Sequence, residues 1–166
     1  MSVATITEVR QYLTFQLDEE VFALDVASVR EVLDYTAITR IPRTPPFLRG
    51  VINLRGSVVP VVDLRLAFGL SATEKTVSTC IVVVEVSLEG ESTIIGALAD
   101  RVEEVVDLEP GQIQPPPHMG LSIRTDFIKG MGQRDSQFVM ILDFDQVFSE
   151  EQLRSLKAAT ATETNE

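Results

Sequence analysis

One histidine and one cysteine are the residues of this sequence with the clearest catalytic potential. His118 lies in a proline-rich loop, and Cys80 begins an apolar run. Nucleophilic catalysis by a Ser–His or Cys–His pair would depend entirely on His118, because the nucleophile must be activated by a base. A lone loop histidine is more typical of a solvated side chain, and a cysteine in an apolar strand of a small core residue. We therefore predict no catalytic residue.

Motifs that hold cofactors or metal ions are also missing. The segment Gly130-Met131-Gly132 is only a fragment of a phosphate-binding loop, and none of the common nucleotide, metalloprotease or hydrolase motifs occurs. Asp143 and Asp145 could contribute to a cation site, but no further ligand follows at a suitable spacing. The sequence thus predicts a binding protein that is not an enzyme and that has no cofactor and no metal.

Charge is distributed unevenly along the chain. The net charge is −11, yet residues 40–65 contain five arginines and only one acid, Asp63. A negative chain opposes binding to nucleic acid or to an anionic membrane, since both require clustered cations. The arginines predict a docking surface for an acidic group, or they keep a turn-rich segment solvated, and the sequence leaves both possibilities open. They are Arg40, Arg43, Arg49, Arg55 and Arg65.

The composition predicts a soluble globular protein. Of the 166 residues, 45% are hydrophobic and 23% are charged, which is ordinary for a folded domain. The longest apolar run, 80–84, is far too short to span a membrane, and Glu8 and Arg10 interrupt the N-terminus before a signal peptide could form. One cysteine cannot form an internal disulfide. We expect a cytoplasmic location without membrane insertion.

Short strands separated by turns are predicted for most of the chain, because β-branched and aromatic residues alternate with polar ones. Pro60 falls inside one such run and predicts an edge strand or a bulge there. The loop Arg55-Gly56-Ser57 predicts a tight hairpin turn. The predicted strands are 12–17, 21–24, 51–54, 58–62, 79–86, 93–99, 102–108 and 138–142.

Helical signals are few. Asp25 is predicted to cap a short helix, because Val26, Val29, Val32 and Leu33 recur at helical spacing. Asp63 and Asp143 are each predicted to cap a helix-like stretch that follows a strand. Ser149 and Gln152 fit a capping box that opens a C-terminal helix over residues 150–160.

An internal repeat organises these elements. Phe47-Leu48-Arg49-Gly50 aligns with Phe127-Ile128-Lys129-Gly130 at an offset of 80, and residues 29–34 align with 102–107 at an offset of 73. The repeat predicts two similar β-subdomains, about 11–77 and about 78–150, that share an apolar interface because units of this size bury little surface alone. The helix and a flexible tail, 161–166, would follow.

The repeat also separates fold from function. Asn53, Arg55 and Gly56 align with Gln133, Asp135 and Ser136, so a positive charge at one hairpin tip is negative at the other. The fold itself therefore does not require Arg55. This difference predicts a specialised surface at the first tip.

Residues 40–65, with the segment Asn53-Leu54-Arg55-Gly56 at their centre, closely resemble the signature of the CheW family of bacterial chemotaxis coupling proteins. The elements around Phe22-Ala23-Leu24-Asp25-Val26 and Phe127-Ile128-Lys129-Gly130 are also similar to that family. The resemblance covers about residues 11–155.

The resemblance implies a mainly β fold of two intertwined, five-stranded SH3-like β-barrels, in agreement with the repeat. It implies an adaptor that binds the regulatory domain of the CheA histidine kinase and the cytoplasmic tip of methyl-accepting chemotaxis receptors. Such an adaptor would be cytoplasmic and recruited to receptor arrays at the membrane.

The resemblance also implies a set of partner-binding residues. Arg55 and Glu31 match positions that are critical in the family, and an ion pair between them could position the loop. Val29 and Gly50 match positions linked to receptor coupling, although Gly50 aligns with Gly130 and so also has a conformational explanation. The full predicted set is Arg55, Glu31, Val29, Gly50, Asn53, Ile38 and Ile41.

Two alternatives remain at this point. The chain could be a CheW-like adaptor of a chemosensory pathway without flagella. It could instead belong to a different class, a small β-barrel that binds nucleic acid or a polar small ligand, because such barrels host many functions.

Overall fold

The computed structural model describes residues 9–88, 90–116, 127–134 and 136–164. The predictions made for His118 and Asp135, and for the end of the tail at 165–166, fall outside these residues. Within them, eleven strands form two sheets. The mainly β class predicted from the sequence is confirmed.

Sheet A has six strands and sheet B has five. In spatial order, sheet A contains β8 (Arg101–Leu108), β1 (Arg10–Leu17), β2 (Glu20–Asp25), β11 (Gln137–Leu142), β10 (Ile128–Arg134) and β9 (Ile113–Gln114). Sheet B contains β3 (Val29–Asp34), β6 (Cys80–Leu88), β7 (Glu91–Ala99), β5 (Ser57–Asp63) and β4 (Leu48–Leu54). The sixth strand of sheet A has only two residues. Its counterpart in sheet B is a single bridge between Thr39 and Val51.

The two sheets have the same strand order once the repeat is applied. The parallel pair β5–β7 places Val61 opposite Gly96, and β11–β2 places Ile141 opposite Ala23, in accord with the offsets of 80 and 73. The hairpins β4–β5 and β10–β11 also have a register shift at the same aligned position. The repeat found in the sequence is thus a repeat of structure.

The hairpins that begin the two repeats are exchanged between the sheets. The first-repeat hairpin β1–β2 pairs with strands of the second repeat, and the second-repeat hairpin β6–β7 pairs with strands of the first. The predicted division into 11–77 and 78–150 therefore does not follow the sheets. Each barrel needs residues from both sides of that boundary, because its central strands come from the other repeat.

Each sheet curls around its own small core, and a third core lies between them. Gly132 of β10 lies so close to Leu108 of β8 that an added Cβ would be 2.9 Å from its side chain, which shows that sheet A closes on itself. The core of sheet B likewise joins its first and last strands through Leu33 and Ile52. The largest core contains Phe15 and other residues of both sheets, as predicted for a shared interface.

The shared interface has approximate two-fold symmetry. Phe47 of the first repeat packs on Phe148 of the second, with ring centroids 5.8 Å apart. The aligned residues make the reciprocal contact, Phe127 on Phe68, at 5.1 Å. Reciprocal contacts of this kind are the mark of a two-fold interface, here within one chain.

One strand was predicted as a helix. Only Val26–Ser28 forms a helical turn, which Asp25 caps by accepting a hydrogen bond from the Ala27 N–H at 2.9 Å. Residues Val29–Asp34 are strand β3, which pairs with β6. The apolar spacing imitates a helix because a bulge in β3 turns Val29 toward the shared core and Leu33 toward the core of sheet B.

The predicted helix caps are confirmed. The Asp63 carboxylate accepts from the Arg65 N–H at 3.1 Å, and Asp143 accepts from the Asp145 N–H at 3.2 Å. Asp63 opens the short helix α1 (Leu64–Ala67). Ser149 and Gln152 exchange hydrogen bonds at 3.2 and 2.9 Å, which forms the capping box that begins helix α2 (Glu150–Thr164). Helix α2 continues four residues beyond the predicted end at 160, since nothing there breaks a helix.

Pro60 lies in β5, which has a neighbour on both sides. Pairing with β7 begins only at Val61, and Pro60 lies opposite Val51, whose N–H and C=O both bond to Thr39. The missing N–H of Pro60 therefore removes no hydrogen bond to β4. The predicted edge strand or bulge at Pro60 is wrong, because β5 lies between β4 and β7 and the register shift of the β4–β5 hairpin falls between Leu48 and Gly50.

Candidate functional site

The turn between β4 and β5 presents Arg55 at the end of sheet B. Leu54 pairs with Ser57, which leaves Arg55 and Gly56 as a two-residue loop. Both have positive φ, 52° and 91°, as in the turn type that best fits the twist of a hairpin. The Asn53 side-chain carbonyl oxygen accepts from the Gly56 N–H at 2.8 Å and so stabilises the loop. Arg55 adopts a conformation that a side chain disfavours, because this turn type requires a positive φ at both loop residues.

Arg55 forms an ion pair with Glu31 of β3, the predicted partner. The guanidinium Nη2 donates to the Glu31 carboxylate, and the Arg55 side chain is still 72% exposed. The hydrogen bond that Arg55 donates to Glu31, followed by the negative charge of Glu31, raises the pKa of Arg55 further. Because the Arg55 side chain is exposed and only Nη2 bonds to Glu31, its other N–H groups can donate to an acceptor on another molecule.

The bulge in β3 turns two consecutive side chains toward the same site. The register steps from Val29 opposite Val84 to Glu31 opposite Val83, so Arg30 is an extra residue in β3. Side chains alternate between the faces of a regular strand, whereas a bulge re-aims them. Arg30 and Glu31 accordingly both line one cleft.

Arg30 belongs to a second charged group that the sequence did not reveal. Its Nε and Nη2 donate to one carboxylate oxygen of Glu85 at 3.1 and 2.8 Å, and the Ser92 hydroxyl donates to the other. The Ser92 hydrogen bond, then Arg30, lowers the pKa of Glu85. Residues 30 and 85 are far apart in sequence, and only the pairing of β3 with β6 brings them together.

The cleft beside these two ion pairs has a volume of about 470 Å³. Its base is formed by apolar residues that include Val59 and Val83, which are buried, and Ile94. Its rim is charged and polar, with Arg30, Glu31, Arg55, Ser57, Glu91, Ser92 and Thr93. An apolar base with a charged rim suits an apolar side chain of a partner that is flanked by a carboxylate or by backbone carbonyls.

The other predicted site residues are not all at the cleft. Asn53 shapes the turn beneath it, and Val29 packs against the shared core. Ile38 packs against the core of sheet B, whereas Ile41 packs against the shared core. The structure thus joins Arg55, Glu31 and Asn53 into one site and distributes the three apolar residues over two packing environments.

Gly50 has a conformational reason to be glycine. Its φ is 143°, and an added Cβ would lie 2.1 Å from the Thr39 carbonyl oxygen. No side chain fits so close to backbone, whatever its chemistry. Gly50 therefore allows the segment after β3 to pair with β4.

The five arginines of residues 40–65 have different environments. Arg49 pairs at 2.8 Å with the buried carboxylate of Asp63, and Arg65 pairs at 2.8 Å with Asp100. These two arginines stabilise the fold. Within the described residues, Arg40 and Arg43 are exposed and form no ion pair.

The described part of the chain has neither an activated thiol nor a cluster of metal-binding side chains. Cys80 is buried, and desolvation raises the pKa of its thiol, which disfavours the reactive thiolate. Among residues 9–88, 90–116, 127–134 and 136–164, no three acidic, cysteine or histidine side chains come together as a metal site. The same ranges contain no helix long and apolar enough to cross a membrane.

Comparison with known proteins identifies the family. The model of the CheW-like domain matches residues 11–152. The chemotaxis protein CheW of Klebsiella aerogenes is 31% identical over 144 residues, which cover 87% of this chain and 84% of that protein. CheW of Rhizobium meliloti is 31% identical over 143 residues, 86% of this chain and 90% of the relative.

A solved structure agrees with both the sequence match and the fold. The scaffolding protein TtCheW of Thermoanaerobacter tengcongensis superposes with a TM-score of 0.74 at 35% identity, covering 84% of this chain and 92% of that one. The overall fold of this chain is therefore shared with a solved scaffolding protein. The chain belongs to the CheW family of chemotaxis scaffold proteins.

Proposed function

We propose that this protein is a non-enzymatic adaptor that couples transmembrane chemoreceptors to a CheA-type histidine kinase. It would act in the cytoplasm, recruited to receptor arrays, by binding the receptor tip and the regulatory domain of the kinase. The observation that carries the proposal is the Arg55–Glu31 pair, held on a strained hairpin turn at the mouth of an apolar cleft. A guanidinium in this position can bind a carboxylate or backbone carbonyls of another protein.

Two exposed apolar pairs support a protein with more than one partner. Val32 and Val58 of the first repeat are 42% and 39% exposed, and the aligned Val105 and Phe138 of the second are 52% and 50% exposed. Exposed apolar side chains that recur at aligned positions of both repeats favour two docking faces, one on each barrel. An adaptor needs such a pair of faces because it must hold two proteins at once.

The different charges around the two faces would let each select its own partner. Arg55 lies beside Val58 at the first face, whereas Glu103 and Glu104 of β8 align with Arg30 and Glu31 in the second repeat. Like charges oppose docking and opposite charges favour it, so similar barrels with different rims discriminate between partners. The nucleic-acid alternative is weakened by the ion pairs of Arg49 and Arg65, which leave fewer arginines for phosphates.

Calorimetric titration with the regulatory domain of a CheA-type kinase tests the kinase half of the proposal. We expect micromolar binding by the wild type, as for a modest and reversible interface, and a clear loss of affinity in Arg55→Ala with an unchanged circular dichroism spectrum. Arg154→Ala is the matched control, since Arg154 is exposed on helix α2. Absence of wild-type binding, or equal binding by Arg55→Ala, would contradict the proposal.

A further inference from the structure

Three strands of sheet B are tied together by one carboxylate. Glu85 lies on β6 and accepts hydrogen bonds from Arg30 of β3 and from Ser92 of β7. Both oxygens of the carboxylate are used, one by each neighbour. Arg30 is bound through two nitrogens, a geometry that fixes its direction better than a single contact would.

Arg30 is also the extra residue of the bulge in β3, directly before Glu31. The direction of the Glu31 side chain depends on how the bulge is held, because a bulge without an anchor can slip to the neighbouring register. Arg30 is fixed to Glu85 of β6, which Ser92 of β7 holds in turn, and this fixes the bulge. Glu31 is then held at the cleft, where it pairs with Arg55.

The second repeat has the same bulge with a different anchor. There Leu13 lies opposite Val105 and Phe15 opposite Val102, which leaves one extra residue in β8. The Thr14 hydroxyl accepts from the Glu104 N–H at 3.1 Å and donates to the Glu104 carbonyl at 2.7 Å. Val83 occupies the aligned place in the first repeat and cannot form these bonds. The first bulge therefore needs another polar anchor, and the Arg30–Glu85–Ser92 group provides it.

We propose that Arg30, Glu85 and Ser92 form a positioning group that holds Glu31, and through it Arg55, in the geometry that binds a partner. These residues act through Glu31 and do not themselves contact the partner. The consequence for binding rests on the proposed adaptor function. The effect on the Arg55–Glu31 pair does not, since it is a property of the free protein.

The free protein provides the first test. The resonance of the Arg55 Nε–H group and the rotation rate of its guanidinium report by NMR whether the side chain is held by Glu31. We expect Arg30→Ala and Ser92→Ala to shift this resonance and to speed the rotation, while Arg154→Ala leaves both unchanged. Unchanged Arg55 signals in both variants overturn the proposal. Ser92→Ala removes only one hydrogen bond and preserves the test if Arg30→Ala does not fold.

A double-mutant cycle with the regulatory domain of a CheA-type kinase provides the second test. We expect Arg30→Ala to weaken binding about fivefold, the ratio that corresponds to a well-formed exposed ion pair, in the wild-type background. In the Arg55→Ala background the same change should have no further effect, because the group acts through Arg55. Equal losses in both backgrounds would mean that Arg30 contacts the partner directly, and no loss in either would mean that it has no role. Either result overturns the proposal.

A charge exchange separates positioning from contact once more. The double variant with Arg30→Glu and Glu85→Arg restores the ion pair with its charges reversed. We expect the affinity and the Arg55 resonance of this double variant to be closer to those of the wild type than the values of Arg30→Ala are. If both stay as in Arg30→Ala, the proposal is contradicted. If the wild type does not bind the kinase domain at all, the adaptor function fails, and the NMR measurement alone decides the positioning role.

Discussion

At the scale of single residues, the site combines side chains with opposite structural roles. Arg55 is exposed in a backbone conformation that a side chain disfavours, and its aligned residue has the opposite charge, so we expect Arg55 to contribute to binding and not to the stability of the fold. Gly50 is the reverse case, since its surroundings admit no side chain. A loss of coupling caused by a change at Gly50 would thus reflect folding, whereas one at Arg55 would reflect docking.

Gly50→Ala is expected to destabilise the protein by about 3 kcal/mol or more, because its Cβ would overlap the Thr39 backbone and its φ is unfavourable. Urea denaturation measures the change. Gly111→Ala is the matched control, with nothing within 4 Å of the added Cβ, and should be close to neutral. If Gly50→Ala were as stable as the wild type, the conformational explanation would be wrong.

The Glu85 carboxylate predicts a pH effect of known sign. Its pKa is lowered in the folded protein, chiefly by Ser92, so its contribution to stability is present above the unfolded pKa and is lost as the pH falls through the folded value. Ser92→Ala should raise the pKa of Glu85 toward the ordinary glutamate value. A ¹³C NMR titration of the side-chain carboxylate measures it. An unchanged or lower pKa would contradict the assigned cause.

At the scale of elements, one aspartate does more in the first repeat than its counterpart does in the second. The Asp63 carboxylate is fully buried and accepts from Arg49 at 2.8 Å, the Thr73 hydroxyl at 2.7 Å and the Thr73 N–H at 3.0 Å, in addition to capping α1. It thereby fixes the linker between α1 and β6 to sheet B. Asp143 is partly exposed and caps a single turn.

Asp63→Asn is expected to cost about 3–5 kcal/mol, because it leaves the Arg49 charge without its partner and turns a donor toward other donors. Asp143→Asn should cost less than about 1 kcal/mol, since asparagine is also a good cap. Urea denaturation of both variants gives the comparison. Equal losses at the two aligned positions would show that the buried network adds nothing to the cap.

Local patterns in the sequence predicted most strands, the hairpin turn at Arg55 and the caps at Asp63, Asp143 and Ser149. The prediction failed at β3, where a bulge reproduced the spacing of a helix around Val29 and Leu33. It also missed Arg30, Glu85 and Ser92, because strand pairing between distant segments cannot be read from local periodicity. The Arg55–Glu31 pair was anticipated only because a family resemblance singled out both residues.

At the scale of the whole molecule, the exchange of hairpins makes the two barrels one folding unit. The alignment of the repeats could not show this, since the offsets of 80 and 73 are the same whether the hairpins stay or exchange. Each barrel takes its two middle strands from the other repeat, and the reciprocal phenylalanine contacts join them further. Neither repeat can therefore complete a barrel alone.

This architecture predicts a single cooperative unfolding transition. Tyr12 lies in the core of sheet A and Tyr35 beside the core of sheet B, so the two tyrosines report on different barrels. Their NMR signals should disappear at the same urea concentration, together with the far-ultraviolet circular dichroism. If the signals of the two tyrosines had different urea midpoints, the exchange of hairpins would not make the two barrels unfold together.

The kinase activity of a reconstituted complex tests the adaptor function most directly. Full-length chemoreceptor in vesicles, a CheA-type kinase and this protein would be combined, and autophosphorylation measured with and without receptor ligand. We expect the ligand to control the kinase only when the wild-type protein is present, and folded Arg55→Ala to restore little of this control. Ligand control without the protein, or full control with Arg55→Ala, would contradict the adaptor function.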